Sequence, residues 1–257
     1  MKDCREEWFD PANKVAVTIV DVTSAAQELA RGHLAGPTAA HYLTEALASV
    51  ALLGGEMSET EETVILQAKC SGPLGGYNVE CTAAGTLRGY TEKKVLDGFD
   101  GLGKPKDRMV LGDQQIQVTR SVPGRILSQG ISTSLDGYFA GSLQRKACLK
   151  VEAAVSDEVE ILEARGIKVE ILPDSSGVEL DMSSISSLAS SSRKILESLG
   201  LKRAELRKTA PLKFACRCSP DRAVAMLSAL SEEERKSLPP TIDITCHMCG
   251  KTFTVKV

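Results

Sequence analysis

The sequence has no long hydrophobic run. Its longest apolar patch, Ala46 to Leu53, falls far short of the roughly 20 residues that a membrane-crossing helix needs, so no membrane partner is expected. The opening MKDCREEWFD has no apolar stretch behind its charges and does not read as a secretory signal; the expected compartment is the cytosol. An excess of positive charge is missing too. With 31 Lys and Arg against 34 Asp and Glu the formal net charge is -3, which argues against nucleic acid as a main partner. Histidine is scarce, and His33 and His41, although near Glu28 and Glu45, have no nucleophile in a matching pattern. They read as helix residues with satisfied hydrogen bonds. The Gly-rich SGPLGGYN lacks the Gly-Lys-Ser/Thr tail of a phosphate loop and reads as a tight turn between strands. Nothing here marks an enzyme.

What is present is a globular composition, 42% hydrophobic and 25% charged over 257 residues, enough for one sizeable core and a small appendage. VAVTIV (Val15 to Val20) is a β-branched run. SAAQELARGHLAG follows with Ser24 as N-cap and Gly36 as stop, and PTAAHYLTEALASVALLGG reads as a buried helix from Pro37 to Gly54 and Gly55. TVILQAK, YNVECTA, TLRGY, QIQVTR and KACLKVEAAV read as strands, with a short helix near ISTSLDGYFAG. The pattern predicts an α/β (α+β) N-terminal domain over residues 1–172.

Texture changes after EILPDSSG. From Asp181 to Lys208, Met182, Ile185, Leu188, Ile195, Leu196 and Leu199 recur at three- and four-residue steps, with serine and charge between them. This predicts an amphipathic helical linker over 173–210. Serine competes for backbone hydrogen bonds, so such a helix is marginal alone and its stripe must dock on a neighbour, either as a helix packed permanently on the main domain or as a linker that can let go.

Residues 211–257 form a third unit. Ser219-Pro220-Asp221 starts a helix, Ser231 with Glu234 makes a capping-box pattern before a second one ended by Pro239 and Pro240, and Ile242, Ile244, Phe253, Val255 and Val257 alternate as a hairpin around CHMCG. So short a module cannot offset its chain entropy without a staple. Cys216, Cys218, Cys246 and Cys249 supply one. They fall in two pairs, Cys-x-Cys and Cys-x-x-Cys, 27 residues apart, and four thiolates make the closed tetrahedral set that suits a structural Zn2+, one per chain in the reduced form. His247, inside the turn, should point away from the metal. Lys213, Arg217, Arg222 and Lys251 lie close in sequence to offset the thiolate charge, and basic neighbours favour thiolates that oxidants attack. A competing reading is a zinc module that presents a binding surface to nucleic acid or protein without redox chemistry. Seven basic against five acidic residues in 211–257, cancelled by the charge of a four-thiolate centre, is weak footing for nucleic-acid affinity.

The spacing CRC, 27 residues, CHMC resembles the zinc site of the heat-shock protein 33 family of redox-regulated holdase chaperones. ELARGHLAGPTAAHYLTEALASVALL, SGPLGGYNVECTAAGTLRGY and ISTSLDGYFAGSLQRKACLKVEA follow the order of that family's N-terminal domain, and GIKVEILPD is similar to the segment that closes it. The resemblance implies oxidation that pairs Cys216 with Cys218 and Cys246 with Cys249, loss of zinc, unfolding of a metastable linker and ATP-independent binding of unfolding proteins. It also implies a homodimer on oxidation, and on this reading the stripe Met182 to Leu199 binds clients. Two departures stand out. Ser142-Leu143-Gln144 replaces the family's Ser-Glu-Gln, and Cys4, Cys70, Cys81 and Cys148 are additional. The last three sit in strand-like stretches and read as inert core residues; Cys4 sits near a terminus expected to be loose.

Overall fold

The computed structural model describes residues 3–103, 106–173, 175, 181–228 and 230–257. The expected linker range 173–210 therefore lies partly outside the described residues. Strands β1 (Cys4–Asp10) and β2 (Val15–Asp21) form a hairpin, followed by helices α1 (Thr23–His33) and α2 (Pro37–Leu53). A meander β3 (Thr63–Cys70), β4 (Gly76–Thr82) and β5 (Thr86–Thr91) comes next. Beyond a single turn α3 (Asp107–Val110) lie β6 (Gln114–Val122), β7 (Arg125–Ser132), α4 (Leu135–Gly141), β8 (Lys146–Val155) and β9 (Ile161–Ile171).

Helix α2 sits between two sheets, touching β3, β4 and β5 on one side and β2, β8 and β9 on the other. It carries alanine and leucine all round, and only Pro37 and Glu45 escape burial. A helix covered on two sides needs no polar face. Leu43, Leu47 and Leu52 are fully enclosed in the main core with Leu66, Val79 and Phe139.

Helix α1 begins at Thr23 with Val22 in the capping position, not at the expected cap Ser24. Asp3 takes over instead, its carboxylate accepting from the backbone N–H groups of Ser24 at 3.0 Å and Ala25 at 2.6 Å. Burial raises this carboxyl above its ordinary range, against those hydrogen bonds. The helix ends at His33 with Leu34 in the left-handed region at φ 52°, and the expected stop Gly36 is the first residue before α2. Cys4 is no loose terminus: it opens β1, paired with Asp21 and Pro211.

After β9 the described chain has a 3-10 turn (Met182–Ser184), an irregular stretch, the two-turn helix α5 (Ser192–Ser198), β10 (Glu205–Pro211) and β11 (Lys213–Phe214). The continuous amphipathic helix expected over 181–208 is absent. Asp181 and the serines bind backbone locally: Asp181 accepts from the Ser183 N–H at 2.8 Å and Ser184 Oγ donates to the Asp181 carbonyl at 2.7 Å, which breaks helical propagation. Gly200 turns the chain at φ +75°, and β10 joins the free edge of β1. The sheets thus run β10-β1-β2-β9-β8 and β11-β5-β4-β3-β6-β7. Residues 205–214, on both sides of the expected boundary at 211, are hydrogen-bonded into these two sheets.

The five-stranded sheet has two apolar faces. Ala147, Leu149 and Val151 face the main core, while Val15, Val17, Ile19, Ile167, Val169 and Trp8 face away from it. The second face is covered by Ile185, Leu188, Ile195, Leu196, Leu199, Leu201 and Ala204, with Met182 at its margin. The stripe is therefore apolar for the expected reason, burial, reached without a continuous helix. Arg193 lies 5.0 Å from the centre of the Trp8 ring and closes one side.

The third unit matches the sequence closely. It comprises α6 (Pro220–Ser228), α7 (Glu232–Lys236) with both arms of the Ser231–Glu234 capping box, and the hairpin β12 (Thr241–Thr245), β13 (Thr252–Lys256). Its own core is Ala223, Leu227, Phe253 and Val255. No helix among the described residues is long and apolar enough to cross a membrane.

Because α2 is shared by both sheets, truncating it inside the main core should destabilise the whole N-terminal domain. Leu47→Ala is expected to cost about 2–5 kcal/mol, read as a lowered denaturant midpoint with loss of amide protection in both sheets.

Candidate metal centre

The hairpin turn between β12 and β13 holds Cys246 and Cys249. Gly250 N–H donates to the Cys246 carbonyl at 2.9 Å and Cys246 N–H to the Lys251 carbonyl at 2.9 Å. Gly250 sits at φ +73°, a left-handed conformation that glycine adopts without strain. Cys216 and Cys218 come from the extended segment after β11, which the Ala215 N–H fastens to the Leu87 carbonyl of β5 at 3.1 Å. Folding brings all four sulfurs within 4.8 Å of one another. Cys216 Sγ and Cys246 Sγ are 3.8 Å apart, Cys218 Sγ and Cys249 Sγ 3.5 Å. Four sulfurs at about 2.3 Å from a tetrahedral zinc lie about 3.8 Å from each other, so the spacing fits that ion.

The remaining sulfurs stay apart from this cluster. Cys81 is fully enclosed, Cys70 packs against the main core and Cys148 against the second core. Burial pushes all three thiols up, Cys81 to about 12, and does the same to Cys4. They are poor nucleophiles there. Neither His33 nor His247 joins the cluster: His33 is buried with Nε2 2.8 Å from the Gly89 carbonyl, and His247 packs edge-on against Tyr90 at 5.6 Å. Burial lowers the His33 pKa.

The cation beside the thiols is Arg88, a residue that the sequence pattern did not point to. Its Nη1 donates to Cys216 Sγ at 3.7 Å, while Nη2 pairs with Glu80 at 2.7 Å. Burial raises the Cys216 thiol, but the Cys218 N–H and Arg88 outweigh it and bring it down to about 7. Burial pushes Cys249 up, and hydrogen bonding with the neighbouring sulfurs adds to the shift. Of the four cations expected near the thiols, Arg217 turns to Glu80 at 2.5 Å and Lys251 lies over the Phe253 ring at 5.2 Å. Glu80 is almost fully buried and so joins Arg88 of β5 to Arg217 of the cysteine segment.

The turn itself lies against the C-terminal end of α1. Met248 accepts from the Gly89 N–H at 3.1 Å. A Cβ on Gly250 would stand 1.9 Å from the Gly32 carbonyl oxygen, and one on Gly32 would stand 2.5 Å from that of Cys249. Only a pair of glycines admits this backbone approach. Leu143 packs against the main core instead of carrying the resembled family's acid; Glu56 nearby binds Lys168 and Arg145, which outweigh the effect of burial and hold its carboxyl below the ordinary range.

Gly32→Ala should therefore lift the turn from α1 at a cost of about 1–3 kcal/mol while leaving the sulfurs able to converge. The expected result is faster amide exchange at Gly89 and across 246–250, with cobalt(II) binding, followed by its thiolate absorption, retained.

Comparison with known proteins agrees with this arrangement. The family model described as Hsp33 protein matches residues 8–256. The chain is similar to a 33 kDa chaperonin of Thermus thermophilus, 26% identical over 92% of this chain and 79% of that protein. It is similar also to the 33 kDa chaperonin of Thermoanaerobacter sp. strain X514, 27% identical over 95% and 92%. The crystal structure of the 33 kDa chaperonin (heat shock protein 33 homolog) from Thermotoga maritima superposes with a TM-score of 0.87 at 20% identity, over 100% of this chain and 95% of that one, and so shares its fold. From the family match over nearly its whole length, and with four cysteines gathered as a metal site in its C-terminal unit, this chain belongs to the Hsp33 family.

Proposed function

We propose that the protein is an ATP-independent holdase chaperone switched on by oxidation of a zinc-bound centre formed by Cys216, Cys218, Cys246 and Cys249. The observation that carries the reading is the convergence of the four sulfurs at zinc-like spacing in a unit whose own core is four buried side chains. Zinc bound there would act as the staple of the unit, contributing about 10–16 kcal/mol of apparent folding free energy. It is a closed set of ligands with no open position for a substrate, which supports a structural role over an enzymatic one.

The redox step follows from thiol chemistry. Each molecule of peroxide takes two electrons from one pair of cysteine thiolates, forming an S–S bond; its O–O bond is cleaved and its oxygens leave as two waters, with two protons taken up from solvent. The pairing Cys216 with Cys218 and Cys246 with Cys249 rests on the family resemblance. Disulfide sulfurs no longer serve as thiolate ligands, so the unit loses its staple. Arg88 keeps Glu80 but loses its thiolate partner Cys216 at the same moment, and with it one of the links between the C-terminal unit and β5.

The surface that then binds clients is, on this reading, the stripe Met182, Ile185, Leu188, Ile195, Leu196 and Leu199 together with the sheet face it covers. Both are apolar and both are buried in the reduced fold. Exposed apolar surface of this extent binds unfolding chains by the hydrophobic effect alone. Domain limits of 1–172, 173–210 and 211–257 are part of the same proposal, as are unfolding proteins as partners and a homodimer in the oxidised form.

Light scattering of a heat-aggregating client separates the readings. Protein treated with peroxide at elevated temperature should suppress aggregation at near-stoichiometric ratios and reduced protein should not. Elemental analysis should find one zinc per reduced chain and about none after oxidation, and peptide mapping should find the two within-motif disulfides. Equal activity in both redox states would refute the switch.

A further inference from the structure

The stretch 185–191 between the 3-10 turn and α5 has no regular structure, so its backbone groups need partners from elsewhere. The outer face of the five-stranded sheet supplies them from charged side chains. Lys150 Nζ donates to the Ile185 carbonyl at 2.7 Å. Glu152 accepts from the Leu188 N–H at 2.7 Å, and Arg165 Nη1 donates to the carbonyls of Leu188 at 2.8 Å and Ser190 at 3.2 Å. Leu188 is therefore held by its N–H, by its carbonyl and by a fully buried side chain.

Strand register explains how three side chains reach one short segment. Glu152 of β8 stands opposite Arg165 of β9, which stands opposite Asp21 of β2. The row alternates in sign across three strands. Lys150, one side-chain step along β8, pairs with Glu152 at 2.9 Å, and Arg165 pairs with Asp21 at 3.0 Å. All four side chains keep between 15% and 30% of their surface in water. Departure of the segment thus leaves no charge unpaired or newly buried, and what is lost is the hydrogen bonds to the backbone and the apolar contacts.

We propose that Lys150, Glu152 and Arg165 form a polar latch that holds 185–190 on the sheet and sets how readily the segment opens. Hydrogen bonds to charged groups are stronger than those between neutral ones but remain reversible. The latch deepens the reading of this segment as a releasable linker, and it is tested without oxidant or client, so its outcome is independent of the redox switch.

The test is hydrogen exchange of reduced, zinc-loaded full-length protein, read by mass spectrometry over peptides within 181–200 and, as an internal standard, over β2 and β9. Glu152→Ala removes the acceptor for Leu188, and Arg165→Lys keeps the charge and the partner Asp21 but not the forked reach to two carbonyls. Each should speed exchange of the 181–200 peptides about tenfold or more, with β2, β9 and the zinc content unchanged. Glu152→Gln, which keeps an acceptor oxygen, should retain most of the protection. Wild-type exchange in Glu152→Ala and Arg165→Lys would overturn the latch. Acceleration spread equally over β9 would overturn it also, since the residues would then support the sheet and not the segment.

Discussion

The five-stranded sheet has an apolar outer face that no helix of its own domain covers. Val15, Val17, Ile19, Ile167 and Val169 are buried there against side chains of residues 182–204. That single constraint organises the molecule. The inner face shares α2 with the other sheet and packs into the main core. The outer face belongs to a separate cluster of buried side chains, and its cover is an irregular stretch with a 3-10 turn and two turns of helix. Segments with little regular structure open at lower free energy than core strands do. One sheet thus carries a face enclosed in the main core and, on the proposed reading, a second face whose cover can be removed.

The thiol centre stands at the far end of the same covalent path. It is fastened to the N-terminal domain by backbone contact at Gly32 and Gly250, by the Gly89–Met248 hydrogen bond, and by the ion pairs that run through Glu80. The unit is small, with four buried side chains as its own core, and on the proposed reading its order depends on what the sulfurs hold. Charge on the sulfurs matters equally, because Arg88 is held between a carboxylate and a thiol.

Much of this was legible in the sequence, for reasons that differ from element to element. Helix α2 declared itself by an apolar register between proline and glycine, and the hairpin by the alternation of Ile242, Ile244, Phe253 and Val255 around CHMCG. The apolar stripe was legible as a buried face, but its conformation was not: the i, i+3, i+4 pattern is satisfied equally by a turn, a loop and a short helix, and serine decided between them by local hydrogen bonding. Strands β1 and β10 were not legible. CREEWFD and ELRKTAP are largely polar, and they are strands because each offers the other an edge. Arg88 and Glu80 were hidden for a similar reason, since no local pattern relates them to cysteines some 130 residues away in the chain. The capping of α1 by Asp3 belongs with them.

The insertion of β10 beside β1 has a kinetic consequence. Because β9 ends at Ile171 and β10 begins at Glu205, the covering segment is a loop anchored at both ends to the surface it covers. Once displaced it remains a tethered competitor for its own site, at an effective concentration in the millimolar range for a short flexible tether. On the proposed reading, any chain bound to the bare face has to outcompete that tether continuously, and restoring the affinity of the loop for the sheet favours its displacement.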